Sequence, residues 1–210
     1  MNLDDIAGVA HWPARTPTGV VVLTHGAGGS RESPLLIAVC EEWARRGWLA
    51  LRYNLPYRRR RAKGPPSGSA ATDLAGVAEA IAVAGGLVDG PVIAGGHSYG
   101  GRLTSMAVAG QSQIVQRVDA LTLFSYPLHP PGKPERLRTD HFGEITVPTV
   151  FTHGTSDPFG SIDELRIAVR LIAAPVEIVE VIGARHDLGT KGPDVPTSAV
   201  DAALRRSRLG

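Results

Sequence analysis

Six short apolar runs, each followed by residues at helical spacing, constrain the fold of this chain more than any other feature. Residues 18–24, TGVVVLT, form an uninterrupted β-branched run that ends at the turn sequence HGAGGS. A run without polar alternation fits a strand covered on both faces, as parallel sheets require. Similar runs recur at 48–55, 91–95, 120–126, 147–152 and 176–182. Between and after them the periodicity predicts helices over 34–46, 70–84, 99–116, 161–173 and 197–208; the first opens on Pro34 and stops before Gly47, so both of its ends are marked. This alternation predicts one α/β domain spanning residues 1–210. It is a three-layer sandwich with helices on both faces of a mainly parallel sheet of six or seven strands, and the 91–95 strand is central. Residues 3–17 add a short strand or wrap the edge, and 134–142 are expected to form a short helix. No connection is long enough for a separate lid domain, and 127–145 is the largest candidate cover.

Charge excludes more than it suggests. The formal net charge of +2 arises from nineteen arginines and only three lysines, a coding bias that makes no case for a nucleic-acid or membrane partner. The one basic cluster, Arg58 to Arg61 with Lys63, lies in a Pro/Gly-rich stretch from Pro56 to Ser69, read as a solvated, mobile surface loop with little influence on stability. Cys40 is the single cysteine and falls among apolar helix positions, where a buried, inert thiol is expected. With no signal-like N-terminus and no run near the roughly 20 apolar residues that span a bilayer, a cytoplasmic protein is expected, as monomer or homodimer. The histidines are dispersed with no metal-binding spacing, so no metal is expected.

Chemistry concentrates at residues 95–101, GGHSYGG, directly after an apolar run and directly before a helix. Ser98 at such a strand-to-helix turn is a candidate nucleophile. Gly96 and Gly100 leave room where strand and helix pass closely, and the Tyr99 N–H at the helix start can face a developing oxyanion. The HGAGGS loop lacks both the Lys-Ser/Thr ending of a phosphate loop and the GxGxxG spacing, so no cofactor is expected. Its alternative use is a second oxyanion donor, Ala27 N–H first and Gly28 N–H as its neighbour. A serine needs a base and the base an orienting acid; beyond the carboxyl ends of later strands stand Asp157, in HGTSDPF, and His186, in GARHDL. Asp187 adjoins the histidine too closely to serve, and Asp163 suits a helix N-terminus. For Asp157 the competing role is a turn-stabilising residue before Pro158. Gly28, Tyr99, Tyr126, Leu128 and Phe159 are candidates for a modest substrate wall. Arg102, one turn past the serine, either supports structure or faces an anion.

Together, HGAGG, GGHSYGGR, HGTSDPF and RHDL resemble the α/β-hydrolase superfamily, and within it the small lidless branch close to the dienelactone hydrolases, over residues 18–208. The resemblance implies Ser98 as nucleophile, His186 as base, Asp157 as triad acid, Tyr99 and Ala27 as oxyanion donors, and a small acyl substrate cleaved through an acyl-enzyme. Dienelactone hydrolases proper carry cysteine where this chain has Ser98. The branch also resembles a non-catalytic-looking subunit of a histone acetyltransferase complex, which makes a scaffold or binding role the alternative.

Overall fold

A computed structural model describes residues 2–66, 70–110, 117–189 and 194–207. Its strands are β1 (Gly8–His11), β2 (Val20–Thr24), β3 (Leu49–Tyr53), β4 (Val92–His97), β5 (Val118–Phe124), β6 (Thr149–Gly154) and β7 (Val176–Val181). Its helices are α1 (Pro34–Arg45), α2 (Pro56–Arg60), α3 (Ala70–Gly85), α4 (Tyr99–Ala109), α5 (Ile162–Ala168) and α6 (Val195–Ser207). Among the described residues the strands form one sheet in the order β1-β3-β2-β4-β5-β6-β7. Only β1 is antiparallel, pairing with β3 at the edge. The central strand is therefore β4.

Burial on both faces explains the continuous apolar runs. Val20 and Val22 of β2 join Val92 and Ala94 of β4 in one core layer, with Val77 of α3 and Leu103 of α4. Val21, Leu23 and Ile93 point the other way, against Leu36 and Trp43 of α1 and Val200 of α6. Period-two alternation is thus present in direction but invisible in polarity, because both directions end in a core.

The sheet order reverses between β2 and β4: the chain leaves β2 toward β3 on one side and leaves β4 toward β5 on the other. In open parallel sheets such a reversal opens a crevice beyond the carboxyl ends of the two strands. The HGAGG loop follows β2 and Ser98 follows β4, so both border it.

Four expectations need correction. Residues 56–60 are helix, not loop, because Pro56 supplies a preset φ at the first helical position. Arg58 is buried, so the Arg58–Arg61 cluster is not simply a solvated face; Arg59, Arg60 and Arg61 remain outside the core. Residues 134–141 are not helical, and only Phe142–Glu144 form a single tight turn. The helix expected over 161–173 ends as an α-helix at Ala168 and continues as a tighter turn over Val169–Leu171. The parts of the expected helices at 111–116 and 208, and loop residues 67–69, lie outside the described residues.

Candidate active site

Ser98 sits between β4 and α4 with φ 51° and ψ −117°, a backbone conformation costly for any residue with a side chain. The turn survives because its neighbours hold it: the Ser98 N–H donates to Phe124 O at 2.8 Å, and Arg102 N–H donates to Ser98 O at 2.9 Å. The flanking glycines are required by crowding. A methyl at Gly96 would stand 2.6 Å from Thr24 O, and one at Gly100 would stand 2.5 Å from His25 O.

The structure brings Ser98, His186 and Asp157 together. Ser98 Oγ is 2.7 Å from His186 Nε2, and His186 Nδ1 is 2.8 Å and 3.0 Å from the two Asp157 carboxylate oxygens. With a carboxylate on Nδ1, that nitrogen carries the proton and donates it, leaving Nε2 to accept from the hydroxyl. The Asp157 side chain is fully buried, whereas that of His186 is 22% exposed, so the imidazole meets the cavity and the carboxylate does not. Asp157 also fills its competing turn role, accepting from Phe159 N–H at 2.9 Å. The two readings of this residue are one geometry. Asp187, set aside as a partner, instead accepts from Gly189 N–H at 3.2 Å, and Asp163 lies in the first turn of α5.

His186 is fixed by two histidines that sequence reasoning left unassigned and by Phe159, expected only as substrate wall. His97 Nε2 donates to the His186 carbonyl at 2.8 Å, and burial pulls the His97 pKa down, keeping that ring neutral. The Phe159 ring lies 4.1 Å from the His186 ring at 31°, covering its face. His153, fully buried, donates from Nε2 to Gly160 O at 2.8 Å and so closes the loop that carries Asp157. The short sequence HS held the only hint of the His97 role, since the side chain before a strand-end nucleophile lies across the sheet from it.

The HGAGG loop is held from behind. His25 donates from Nδ1 to Gly26 O at 2.8 Å, Tyr57 Oη donates to Gly26 O and Ala27 O at 3.1 Å and 2.8 Å, and Arg58 Nε donates to Gly29 O at 2.7 Å. A trans peptide sets N–H opposite to C=O, so fixing the Gly26 carbonyl on Tyr57 and His25 turns the Ala27 N–H away from them. Gly26 packs against the Ser98 side chain, where an added methyl would stand 3.3 Å from its Cβ. Neither Ala27 N–H nor Tyr99 N–H has a protein acceptor among the described residues. Burial pulls the His25 pKa down to about 4, and its Nε2, which accepts from Leu55 N–H at 3.3 Å, has no room for a proton.

A cavity of about 610 Å³ opens over Ser98. Gly28, Tyr99 and Phe159 line it as expected. Tyr126 and Leu128 do not: both are fully buried in the core, Tyr126 against Phe142 and Phe151 with its hydroxyl donating to Arg138 O at 2.7 Å. They follow Ser125, which has a positive φ of 45° at the end of β5. In their place the cavity has Pro127, Arg102 and Arg138. Tyr99 reaches out through its hydroxyl to Asp73 Oδ2 at 3.1 Å, tying α4 to α3. Burial raises the Cys40 thiol pKa to about 12, so it is no rival nucleophile. Among the described residues no three metal-ligating side chains converge, and no helix is long and apolar enough to cross a membrane.

A nucleophile elbow at the centre of such a sheet defines the class of protein, and comparison with known proteins gives the same answer. The chain belongs to the α/β-hydrolase family: the model of an alpha/beta hydrolase domain matches residues 17–202. Its fold is similar to that of Est1E from Butyrivibrio proteoclasticus, at 16% identity, TM-score 0.72, and 96% and 93% coverage of the two chains. It is also similar to a dienelactone hydrolase from Anabaena variabilis, at 22% identity, TM-score 0.70, and 95% and 89% coverage. A third similar structure is an alpha-beta serine hydrolase homologue from Coxiella burnetii, at 14% identity, TM-score 0.72, and 94% and 90% coverage.

Proposed function

We propose that this hydrolase cleaves small carboxylic esters or closely related acyl compounds through a Ser98–His186–Asp157 triad. The observation that carries the reading is the unbroken path from Ser98 Oγ through His186 to the buried Asp157 carboxylate, with both links within 2.8 Å. Ser98 Oγ attacks the acyl carbonyl while His186 Nε2 takes the hydroxyl proton, and the carbonyl oxygen becomes an oxyanion facing Tyr99 N–H and Ala27 N–H. His186 then gives the proton to the leaving alcohol as the tetrahedral intermediate collapses to an acyl-enzyme. Water, deprotonated by the same histidine, releases the acid and restores Ser98. Asp157 holds the imidazole in its donating tautomer throughout.

The serine hydrolase and dienelactone hydrolase names of the similar structures support this reading, and so does the open cavity. With Tyr126 and Leu128 withdrawn into the core, only Tyr99, Pro127 and Phe159 remain as large apolar wall of an open cavity, which favours short acyl chains over long ones. The test is turnover of p-nitrophenyl acetate by wild type and Ser98→Ala. The variant is expected to fold normally and lose about 10⁶-fold in kcat. A folded variant that keeps more than a tenth of the wild-type rate would place the nucleophile elsewhere.

A further inference from the structure

Two arginines line the cavity over Ser98 and neither is neutralised. Among the described residues the Arg102 side chain makes no hydrogen bond or ion pair, and its Nε is buried without an acceptor. Arg138 has one long bond, from Nη1 to Pro127 O at 3.4 Å, and no ion pair. Burial and the nearby Arg102 charge both pull the Arg138 pKa below its ordinary value. No carboxylate lines this cavity, and Asp140, whose charge reaches His141 and Tyr126, is exposed and pairs with neither arginine.

Other partly enclosed arginines are treated differently. Arg52 bonds Glu32 Oε2 and Arg31 O, both at 2.7 Å, and Arg58 bonds four backbone carbonyls. Two guanidiniums that repel each other beside a nucleophile, with their donors unused, lack what a structural arginine has: acceptors.

We propose that Arg102 and Arg138 form an anion subsite, and that the ester cleaved at Ser98 carries a free carboxylate. The assignment of the scissile bond rests on the serine hydrolase reading above; the subsite itself does not. Arg102 lies four residues past Ser98, about 6 Å along the helix axis. A carboxylate separated from the reacting carbonyl by about two or three methylenes, at roughly 1.2 Å of reach per bond, spans about 4–5 Å of that distance, and its hydrogen bond to the guanidinium covers the rest. Arg138 closes on the same anion from the β5–β6 connection.

The experiment uses Ser98→Ala protein, which cannot turn over, and compares binding of the monoanilide of succinic acid with that of neutral butyranilide by calorimetry. The carboxylate compound is expected to bind at least tenfold more tightly, with the preference shrinking as salt is raised. Adding Arg102→Gln or Arg138→Gln is expected to cut the preference at least fivefold, while Arg102→Lys keeps part of it. Equal binding of the two compounds, binding of neither at millimolar concentration, or a preference that survives in the double glutamine variant overturns the subsite. Should a glutamine variant fail to fold, by circular dichroism, the salt series on the parent decides: a salt-independent preference overturns the proposal. In parallel, wild type is assayed with p-nitrophenyl hydrogen succinate and p-nitrophenyl butyrate. Turnover of neither contradicts the hydrolase reading and leaves the binding result to stand alone; turnover of both at equal kcat/KM contradicts the anionic substrate.

Discussion

Two sets of arginines near Ser98, one behind the cavity wall and one in it, are used in opposite ways. Behind the HGAGG loop, Arg58 is 5% exposed and spends its guanidinium on the carbonyls of Ala27, Gly29, Arg61 and Gly64. Over Ser98, Arg102 and Arg138 face the cavity with almost nothing bonded to them. Side chains of one type, in one site, thus divide into a charge consumed by the fold and charges left over from it. Arg58 is buried and the other two are half-buried, and only Arg58 is surrounded by backbone that offers it acceptors. A satisfied guanidinium rigidifies a loop, whereas an unsatisfied one raises the energy of the empty protein until an anion arrives.

The largest expected effect lies outside both arginine sets and fixes the reference for them. Asp157→Asn is expected to lower kcat on a neutral ester by about 10⁴-fold, because the amide favours the wrong imidazole tautomer while the geometry persists. Steady-state kinetics check this, and a loss below tenfold would mean that the 2.8 Å contact with His186 is packing alone.

Next comes the satisfied arginine. Arg58→Gln leaves carbonyls in the HGAGG loop without donors and is expected to destabilise the protein by about 2 kcal/mol, lowering Tm by roughly 4–8 °C. Arg60→Gln, at an exposed position of α2, is expected to change stability by less than about 0.5 kcal/mol. Equal melting temperatures for the two variants would erase the distinction between them.

Acid reaches the same loop through His25. Its folded pKa of about 4 lies below the ordinary 6.5, so the unfolded chain binds the proton first. The stability contributed by neutral His25 is therefore complete above about pH 6.5 and is lost as pH falls toward 4. His141, also lowered to about 4 by burial and the Arg102 charge, acts in the same direction. Urea midpoints at pH 7, 5.5 and 4.5 are expected to fall in that order, with a shallower fall in His25→Asn. A flat series would contradict a buried neutral His25.

The smallest shift belongs to the unsatisfied arginine. Arg102→Gln removes a charge that no protein group compensates, so Tm is expected to stay within about 2 °C of wild type or to rise. A fall as large as that of Arg58→Gln would show that Arg102 is structural and that the contrast between the two walls is false.

Much of this was legible in the sequence, for identifiable reasons. The six apolar runs predicted all six parallel strands, since a strand buried on both faces needs no long-range information to be recognised. Ser98, His186 and Asp157 were legible because each follows a strand at its carboxyl end, where short loops leave little freedom of placement. Arg58 was not, because its burial depends on carbonyls about thirty residues away that only the folded loop presents. Tyr126 and Leu128 were misread as wall because their burial is not local: Tyr126 packs on Phe142 and Phe151, which only the fold brings beside it, and the positive φ at Ser125 just before it is not advertised by serine. Arg138 reached the cavity from a proline-rich stretch recognisable as a cover but with no periodicity to say which side faces in.

The central claim is that Ser98 is an activated nucleophile in a preorganised site, and covalent capture tests it most directly. Folded wild type treated with a fluorophosphonate and analysed by peptide mass spectrometry is predicted to carry one adduct, on the peptide containing Ser98, and Ser98→Ala is predicted to carry none. An adduct on a different residue, or no adduct on correctly folded wild type, would contradict the account.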